Sequence, residues 1–145
     1  MSWVRVWVHL VFSTKNRLPI LNSLELRKLV FHHLKENAIQ KNIFLEAANG
    51  YQEHVHCLIS LNKLHSISQT AQLVKGESSY WINKNRLTKG KFSWQDDYWA
   101  VGVSESHVDA VKNYIHQQES HHQKIPFSKE VDDFMEKYGW EYVKG

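Results

Sequence analysis

The stretch Glu53-His54-Val55-His56-Cys57-Leu58-Ile59 predicts a β-strand. Val55, Cys57 and Ile59 alternate with His54 and His56, and this period of two places both histidines on the face opposite the apolar residues. The Cα atoms of the two histidines would lie about 6.5–7 Å apart, so their imidazoles could bind one metal ion. The plainer interpretation is a pair of polar residues on the exposed face of a half-buried strand.

The sequence before this strand predicts an alternation of strands and helices. Residues 3–12 alternate as a first strand, and helical spacing after Ser23 predicts an amphipathic helix over residues 23–41. Residues 43–48 predict a second strand, and Asn49-Gly50 is a strong hairpin signal. Strand, helix, strand, hairpin and strand in this order predict half of a ferredoxin-like antiparallel sheet, hence an α+β fold.

The second half of the chain predicts three more helices. They cover residues 67–84, then a run from Ser104 or Ser106 to about His121, then a short helix from Ser128 to Gly139. Short extended pieces are expected at residues 92–95 and 100–103. In the last helix, the inward side is predicted to carry Val131, Phe134, Met135 and Tyr138.

The arrangement of these elements around the sheet can also be predicted. We expect the helices of residues 23–41 and 67–84 on one face of the sheet. The two histidines and the third helix should lie on the other face, where Trp3, Trp7 and His9 also point.

Length and composition indicate a small globular protein. The 145 residues fit one domain, residues 1–145, and the net charge of +3 is only mildly basic. No apolar run approaches the roughly 20 residues of a membrane span, and no signal-peptide pattern is present. The single cysteine, Cys57, excludes an internal disulfide and fits a cytoplasmic location.

Beyond the two histidines, a catalytic metal site needs at least one more ligand. Glu53 and Gln118 are the candidates, and an amide oxygen suits Mg²⁺ or Mn²⁺ better than structural zinc. Tyr114 lies one helical turn before Gln118, on the same edge of the predicted third helix. A phenol with a nearby cation is a plausible nucleophile for a phosphodiester, and Tyr114 is set apart from the other tyrosines, which compete for this role, by Gln118 one turn away.

A nucleic-acid surface is the second functional expectation. The basic loop of residues 84–91 suits phosphate binding, although a solvated turn is an equally simple interpretation. Trp94 is a candidate for stacking on bases. The candidate phosphate contacts are Lys15, Arg17, Lys75, Lys84, Arg86, Lys89 and Lys91.

Taken together, these motifs resemble the single-tyrosine HUH transposases of the smallest bacterial insertion sequences, the IS200/IS605-type family. The histidine pair with Tyr-Ile-x-x-Gln about 60 residues later carries the resemblance most specifically. The matching segments are Trp7 to Arg17, Glu53 to His56, Lys75 to Ser79, Phe92 to Gln95 and Tyr114 to His122. Two departures are Glu53, where the family often has Asp, and Asp97, where a glycine is common.

The resemblance implies a metal-dependent enzyme that nicks and rejoins single-stranded DNA at hairpins near the ends of its element. By position, His54, His56 and Gln118 would hold a Mg²⁺ or Mn²⁺ ion, and Tyr114 would form a 5′-phosphotyrosine link. It also implies a homodimer, in which the tyrosine helix of one subunit can complete the site of the other.

Two alternatives belong to other classes of protein. A host-adopted relative could bind or process chromosomal hairpin repeats without transposing, but a binding-only descendant would tend to lose Tyr114 or Gln118, and both are present. A structural zinc domain is disfavoured because cysteine ligands are missing.

Overall fold

A four-stranded antiparallel sheet forms the centre of the molecule in the computed structural model, which describes residues 1–138. Its strands follow the order β2-β3-β1-β4 across the sheet. Their bounds are β1 Val6–Ser13, β2 Phe44–Gly50, β3 His54–Leu61 and β4 Trp99–Val103. With the two helices inserted after β1 and β3, this is the βαββαβ order of a ferredoxin-like fold, which confirms the predicted α+β class.

Five α-helices accompany the sheet in the described part of the chain. They are α1 Leu24–Gln40, α2 Ile67–Lys84, α3 Val108–His116, α4 Gln118–His122 and α5 Phe127–Tyr138. The Ser23 side chain accepts a hydrogen bond from the Leu26 N–H and begins α1, while Ser66 and Gln69 form a reciprocal capping box at α2. Within residues 1–138, none of the helices has the length and hydropathy that a bilayer crossing requires.

The main core lies between the sheet and the pair α1 and α2. Val55, Cys57 and Ile59 of β3 are essentially inaccessible and pack with residues of β1, α1 and α2. Burial raises the pKa of the Cys57 thiol to about 12, so this side chain behaves as a small apolar residue. Each fully buried aliphatic side chain contributes about 1.5–3 kcal/mol, which fixes the face that β3 turns toward these helices.

The opposite face of the sheet is also covered, by α3 and α5. Leu58 packs with Trp7 and Ile115, and Val11 packs with Phe127 and Val131. The histidines of β3 lie on this face, as the alternation predicted.

Several element boundaries differ from the sequence prediction. The first strand begins at Val6, and Trp3 is 85% exposed outside the sheet. Gly50 does not form the hairpin turn but pairs with Val55 inside the ladder, so the turn falls at residues 51–53. A Cβ atom on Gly50 would lie 2.0 Å from the His54 carbonyl oxygen, so the glycine permits close approach of the two strands.

The predicted third helix is interrupted. Gln117 has φ −93° and ψ 9°, which separates α3 from α4. Consequently Tyr114 and Gln118 stand on two consecutive helices instead of one. In α5, Tyr138 is 38% exposed instead of inward, and Gly139 lies outside the described residues.

Candidate active site

His54 and His56 project from β3 into the layer between the sheet and α5, and both are completely buried. Their ring centroids lie 5.0 Å apart. The Phe127 ring of α5 stacks on His54 at 4.0 Å, nearly parallel. The pair therefore lies beneath a helix and is not exposed on an open strand face.

A carboxylate fixes the orientation of His54. Glu53 Oε1 lies 2.7 Å from His54 Nδ1. Because a carboxylate only accepts, Nδ1 carries the proton in the neutral ring, and the Nε2 lone pair points into the site. A carboxylate behind a histidine is the usual support of a metal ligand, so Glu53 has the place of a supporting residue.

The Nδ1 side of His56, which faces away from Glu130, contacts another histidine, His9 of β1. His9 Nε2 and His56 Nδ1 are 2.8 Å apart. Burial lowers the pKa of His9 to about 3, with a further contribution from His56. Burial also lowers the pKa of His56 to about 4, against the opposing effect of Glu130. Both rings are therefore neutral near pH 7, which is the form that binds metals.

Two long-range contacts bring the tyrosine segment to the histidines. The Asn49 side-chain amide donates to the Ile115 carbonyl at 3.0 Å, which ties the end of α3 to β2. Arg27 of α1 donates twice to the Glu119 carboxylate, at 2.6 and 3.0 Å, and anchors α4. As a result, Gln118 Oε1 lies 3.0 Å from His54 Nε2.

Tyr114 is half-buried beside the pair, with its ring centroid 5.6 Å from that of His56. Its hydroxyl donates a short hydrogen bond to Glu130 of α5. Burial and the negative charge of Glu130 raise the pKa of Tyr114. The resting side chain is therefore a neutral phenol whose oxygen is oriented by a carboxylate.

Glu130 is the centre of this network and is only 3% exposed. Its Oε1 lies 2.8 Å from His56 Nε2, and its Oε2 lies 3.2 Å from His122 Nε2. Burial raises the pKa of Glu130, but its close contacts with His122 and His56 outweigh burial and hold that pKa below its usual range. The Tyr114 hydroxyl is a donor to this carboxylate, whereas the part played by each histidine depends on its tautomer.

Four buried side chains converge closely enough to hold one divalent ion: His54, His56, His122 and Glu130. Their ligand atoms all lie within 4.8 Å of one another. His122 Nδ1 donates to the Ile125 carbonyl at 2.8 Å, so the ring in its neutral form would present an Nε2 lone pair to the carboxylate of Glu130. Opposed lone pairs of this kind need a cation or a proton between them, so the donor set fits a metal ion.

Sequence reasoning did not find His9, His122 or Glu130 as members of the site. The signals were present but weak. His9 lies on the same predicted face of its strand as Trp7, and Glu130 falls on the inward stripe of α5 beside Val131 and Phe134. A charged residue on an apolar stripe was the feature that could have revealed it.

The candidate DNA contacts lie apart from this cluster or at its margin. Arg17 is exposed and lies over the Phe127 ring at 5.5 Å from its centroid, next to the site. Lys75 is half-buried and donates to the Asp96 carbonyl at 2.8 Å. Burial lowers its pKa. The remaining candidates are exposed: Lys15, Lys84, Arg86, Lys89 and Lys91.

Trp94 lies in the core and offers no open face for a base. It is 6% exposed, packs edge to face on Phe12 and Phe92, and donates its indole N–H to Ser78 Oγ at 2.9 Å. Burying the large apolar area of the indole stabilises the fold more than leaving it on the surface. Trp94 therefore fills the core, which differs from the stacking role that was expected.

A ferredoxin-like sheet that carries a buried histidine pair beside a tyrosine is typical of single-tyrosine transposases. Comparison with known proteins identifies the family. The chain belongs to the IS200-like transposase family, whose model matches residues 2–118. Family membership assigns it a transposase-type function in DNA processing. The match ends at Gln118, so His122 and Glu130 lie beyond it.

Solved structures share the fold. A candidate transposase from Deinococcus radiodurans R1 superposes with a TM-score of 0.64 at 24% identity, covering 81% of this chain and 93% of that one. A REP-associated tyrosine transposase bound to a REP hairpin gives a TM-score of 0.62 at 14% identity, covering 86% and 73%. A search of curated proteins found no match.

Proposed function

We propose that this protein cleaves and rejoins single-stranded DNA through a covalent link to Tyr114. The observation that carries the proposal is the position of the Tyr114 hydroxyl, which shares Glu130 with the buried His54–His56 pair. A nucleophile, a candidate ion site and an orienting carboxylate thus meet at one point. Family membership supports the same class of chemistry.

His54 and His56 would hold a Mg²⁺ or Mn²⁺ ion with Gln118 close by. Such an ion supplies a Lewis acid that stabilises the negative charge developing on the phosphate oxygens. Glu53 and His9 keep the two rings in position, so their role is to preserve the geometry of the ligand atoms.

Tyr114 Oη would attack phosphorus, forming the tyrosyl ester and breaking the bond to the 3′ oxygen. The 5′ phosphate then remains on the protein, and the leaving 3′ oxygen takes up a proton from solvent to become a 3′-hydroxyl, which can attack a later tyrosyl ester to rejoin strands. The proton on Oη has an acceptor in Glu130, to which it is already hydrogen-bonded. Rejoining reverses these bond changes, so no external energy source is needed.

The DNA substrate proposed here is an imperfect hairpin. The structural likeness to a transposase bound to a REP hairpin supports this substrate class. It also favours a second candidate function, a relative that processes chromosomal hairpin repeats without transposing. The flanking genomic DNA separates the two: subterminal hairpins close to the gene indicate a mobile element, and scattered isolated repeats indicate the relative.

A gel assay tests the proposal directly. Labelled single-stranded hairpin DNA is incubated with the protein and Mg²⁺ or Mn²⁺, with and without chelator, and resolved under denaturing conditions. We expect a metal-dependent covalent protein–DNA band. Absence of any such band with every hairpin from the flanking DNA would contradict the proposal.

Because α5 covers the site, we expect this helix to move when DNA binds. Phe127 and Phe134 of this helix cover His54, His56 and His9, so a phosphodiester reaches the pair only when α5 loosens and these two rings turn aside, with Glu130 still beside Tyr114. We expect backbone amides of residues 127–138 to exchange hydrogen about tenfold faster when a cleavable hairpin is bound, measured by mass spectrometry. Amides of β3 serve as the internal control. Slower exchange in α5 would mean that DNA enters by another route.

Neutralising the basic loop should weaken hairpin binding. Arg86, Lys89 and Lys91 are exposed, and removing one phosphate-binding charge should reduce the salt-dependence slope by about 0.7. We therefore expect a slope smaller by about 2 for the triple alanine variant, measured by fluorescence anisotropy over a range of salt concentrations. The matched control neutralises three exposed lysines in and just after α1, namely Lys28, Lys35 and Lys41. Equal slopes for the two triple variants would remove the loop from the DNA surface.

Acid should destabilise the fold through His9 and His56. Both folded-state pKa values lie below the ordinary 6.5, at about 3 and about 4, so the unfolded chain binds these protons first. Stability is therefore lost as the pH falls from about 6.5 toward 4, by about 2 kcal/mol per histidine at pH 5. Urea unfolding at pH 7.5 and pH 5.0 measures this.

The variant His9→Gln should lose less unfolding free energy than the wild type between pH 7.5 and pH 5.0. The variant His32→Ala, at an exposed position, should lose as much as the wild type. Equal unfolding free energies of the wild type at both pH values would show that the two rings are not buried in neutral form.

A further inference from the structure

We infer that His122 and Glu130 are metal ligands, which makes the centre a three-histidine, one-carboxylate site selective for a transition metal over Mg²⁺. The inference rests on the proposed function, since it concerns the same ion. It differs from the expected set of two histidines and Gln118, and both added residues lie beyond the segment that the family model matches.

The first argument is the direction of the lone pairs. The far nitrogen of each ring has a partner: Glu53 behind His54, His9 behind His56, and the Ile125 carbonyl behind His122. Each ring therefore can turn an Nε2 lone pair inward, as supported metal-binding histidines do. For His56 this requires its Nδ1–H to donate to His9, which the 2.8 Å distance permits.

The second argument is spacing. Tetrahedral coordination with bonds of about 2.0–2.2 Å separates ligand atoms by roughly 3.3–3.6 Å. The Glu130 oxygens lie 2.8, 3.6 and 3.2 Å from the Nε2 atoms of His56, His54 and His122. These three edges lie close to the tetrahedral values, and all four ligand atoms lie within 4.8 Å of one another.

The third argument compares the candidate oxygen ligands. Glu130 offers a carboxylate and is 3% exposed, whereas the Gln118 amide is neutral and therefore a weaker metal ligand. Turning the Gln118 amide by 180° would let its nitrogen donate to His54 Nε2 and satisfy that contact without an ion. Rotation does not relieve His122 against Glu130, because His122 Nδ1 donates to the Ile125 carbonyl and a carboxylate only accepts, so this contact needs a cation or a second ring proton.

The ligand set determines which metals bind. Imidazole ligands suit transition metals such as Zn²⁺, and the carboxylate also suits Mn²⁺, whereas Mg²⁺ prefers an octahedron of oxygens. Glu130 would ligate through one oxygen while the other still accepts from the Tyr114 hydroxyl. The carboxylate would then position the nucleophile directly against the ion-binding residues.

Isothermal titration of the DNA-free protein with Mn²⁺ and with Mg²⁺ tests the inference, and Co²⁺ absorption reports on coordination. We expect Mn²⁺ to bind at least about tenfold tighter than Mg²⁺. Glu130→Gln and His122→Ala should each weaken Mn²⁺ binding by about tenfold or more and alter the Co²⁺ spectrum. Gln118→Ala should stay within about threefold of the wild type.

Matched controls are Glu136→Gln on the exposed side of α5 and His116→Ala, also exposed. Circular dichroism verifies that each variant is folded. Wild-type Mn²⁺ affinity in either Glu130→Gln or His122→Ala overturns the inference, as does a reduction in Gln118→Ala that equals the reduction in His56→Ala. These outcomes leave the proposed function intact, because that function fails only if the covalent adduct is absent.

Discussion

A Tyr114→Phe protein is expected to bind hairpin DNA normally and to form no covalent adduct. The substitution removes only the phenolic oxygen, and the ring keeps its contacts with His9 and His56. Loss of the attacking atom should reduce cleavage by roughly three orders of magnitude or more. Denaturing electrophoresis measures the adduct, and anisotropy measures binding. An adduct formed by Tyr114→Phe would identify a different nucleophile.

The matched control is Tyr80→Phe, which removes the same atom from an exposed residue of α2 and should leave cleavage unchanged. Mixing Tyr114→Phe with His56→Ala then tests how the site is assembled. In this chain Tyr114 lies beside its own histidine pair, so a mixture should remain inactive. Recovery of cleavage would show the composite site of the homodimer that the resemblance implies. The homodimer itself stays a prediction, and light scattering measures it.

A Trp94→Ala protein is expected to lose about 3–5 kcal/mol of unfolding free energy. The indole fills the core between Phe12 and Phe92, and its N–H bonds to Ser78. The substitution leaves a cavity and removes one hydrogen bond to the Ser78 hydroxyl, which keeps its bond to the Val74 carbonyl, so the cavity is the larger loss. Urea unfolding followed by circular dichroism measures the change.

Trp3→Ala is the control, because Trp3 is 85% exposed and should change stability by no more than about 0.5 kcal/mol. At a temperature where Trp94→Ala is still folded, its hairpin affinity should equal that of the wild type. A stable Trp94→Ala protein with weak DNA binding would restore the stacking role.

The backbone of the basic loop explains why its charges are suited to the salt-dependence test. Arg86 has φ 50° and Gly90 has φ 72°, so the chain turns sharply on both sides of Lys89. Three of the predicted phosphate contacts thus lie on one exposed loop after α2. The fold places them there without burying them, unlike Lys75.

The element order and the two faces of β3 were predictable from sequence because they depend on local periodicity. Alternation along β3 places His54 and His56 opposite Cys57, and this holds for any strand whose apolar face is buried. The caps at Ser23 and Ser66 act within one turn of their helices, so α1 and α2 were also found within a residue or two. The position of the hairpin turn could not be predicted from local signals, because it depends on the close contact between β2 and β3 at Gly50.

The composition of the site was decided by tertiary structure. His9 meets His56 across 47 residues of chain, and Glu130 meets it across 74, so neither contact has a periodic signal in the sequence. The sequence by itself determined the ferredoxin-like sheet, the paired histidines on one face and the tyrosine segment that follows. Only the packing of α5 brought Glu130 to the pair and to Tyr114, because its apolar stripe has to be buried and carries the carboxylate inward with it.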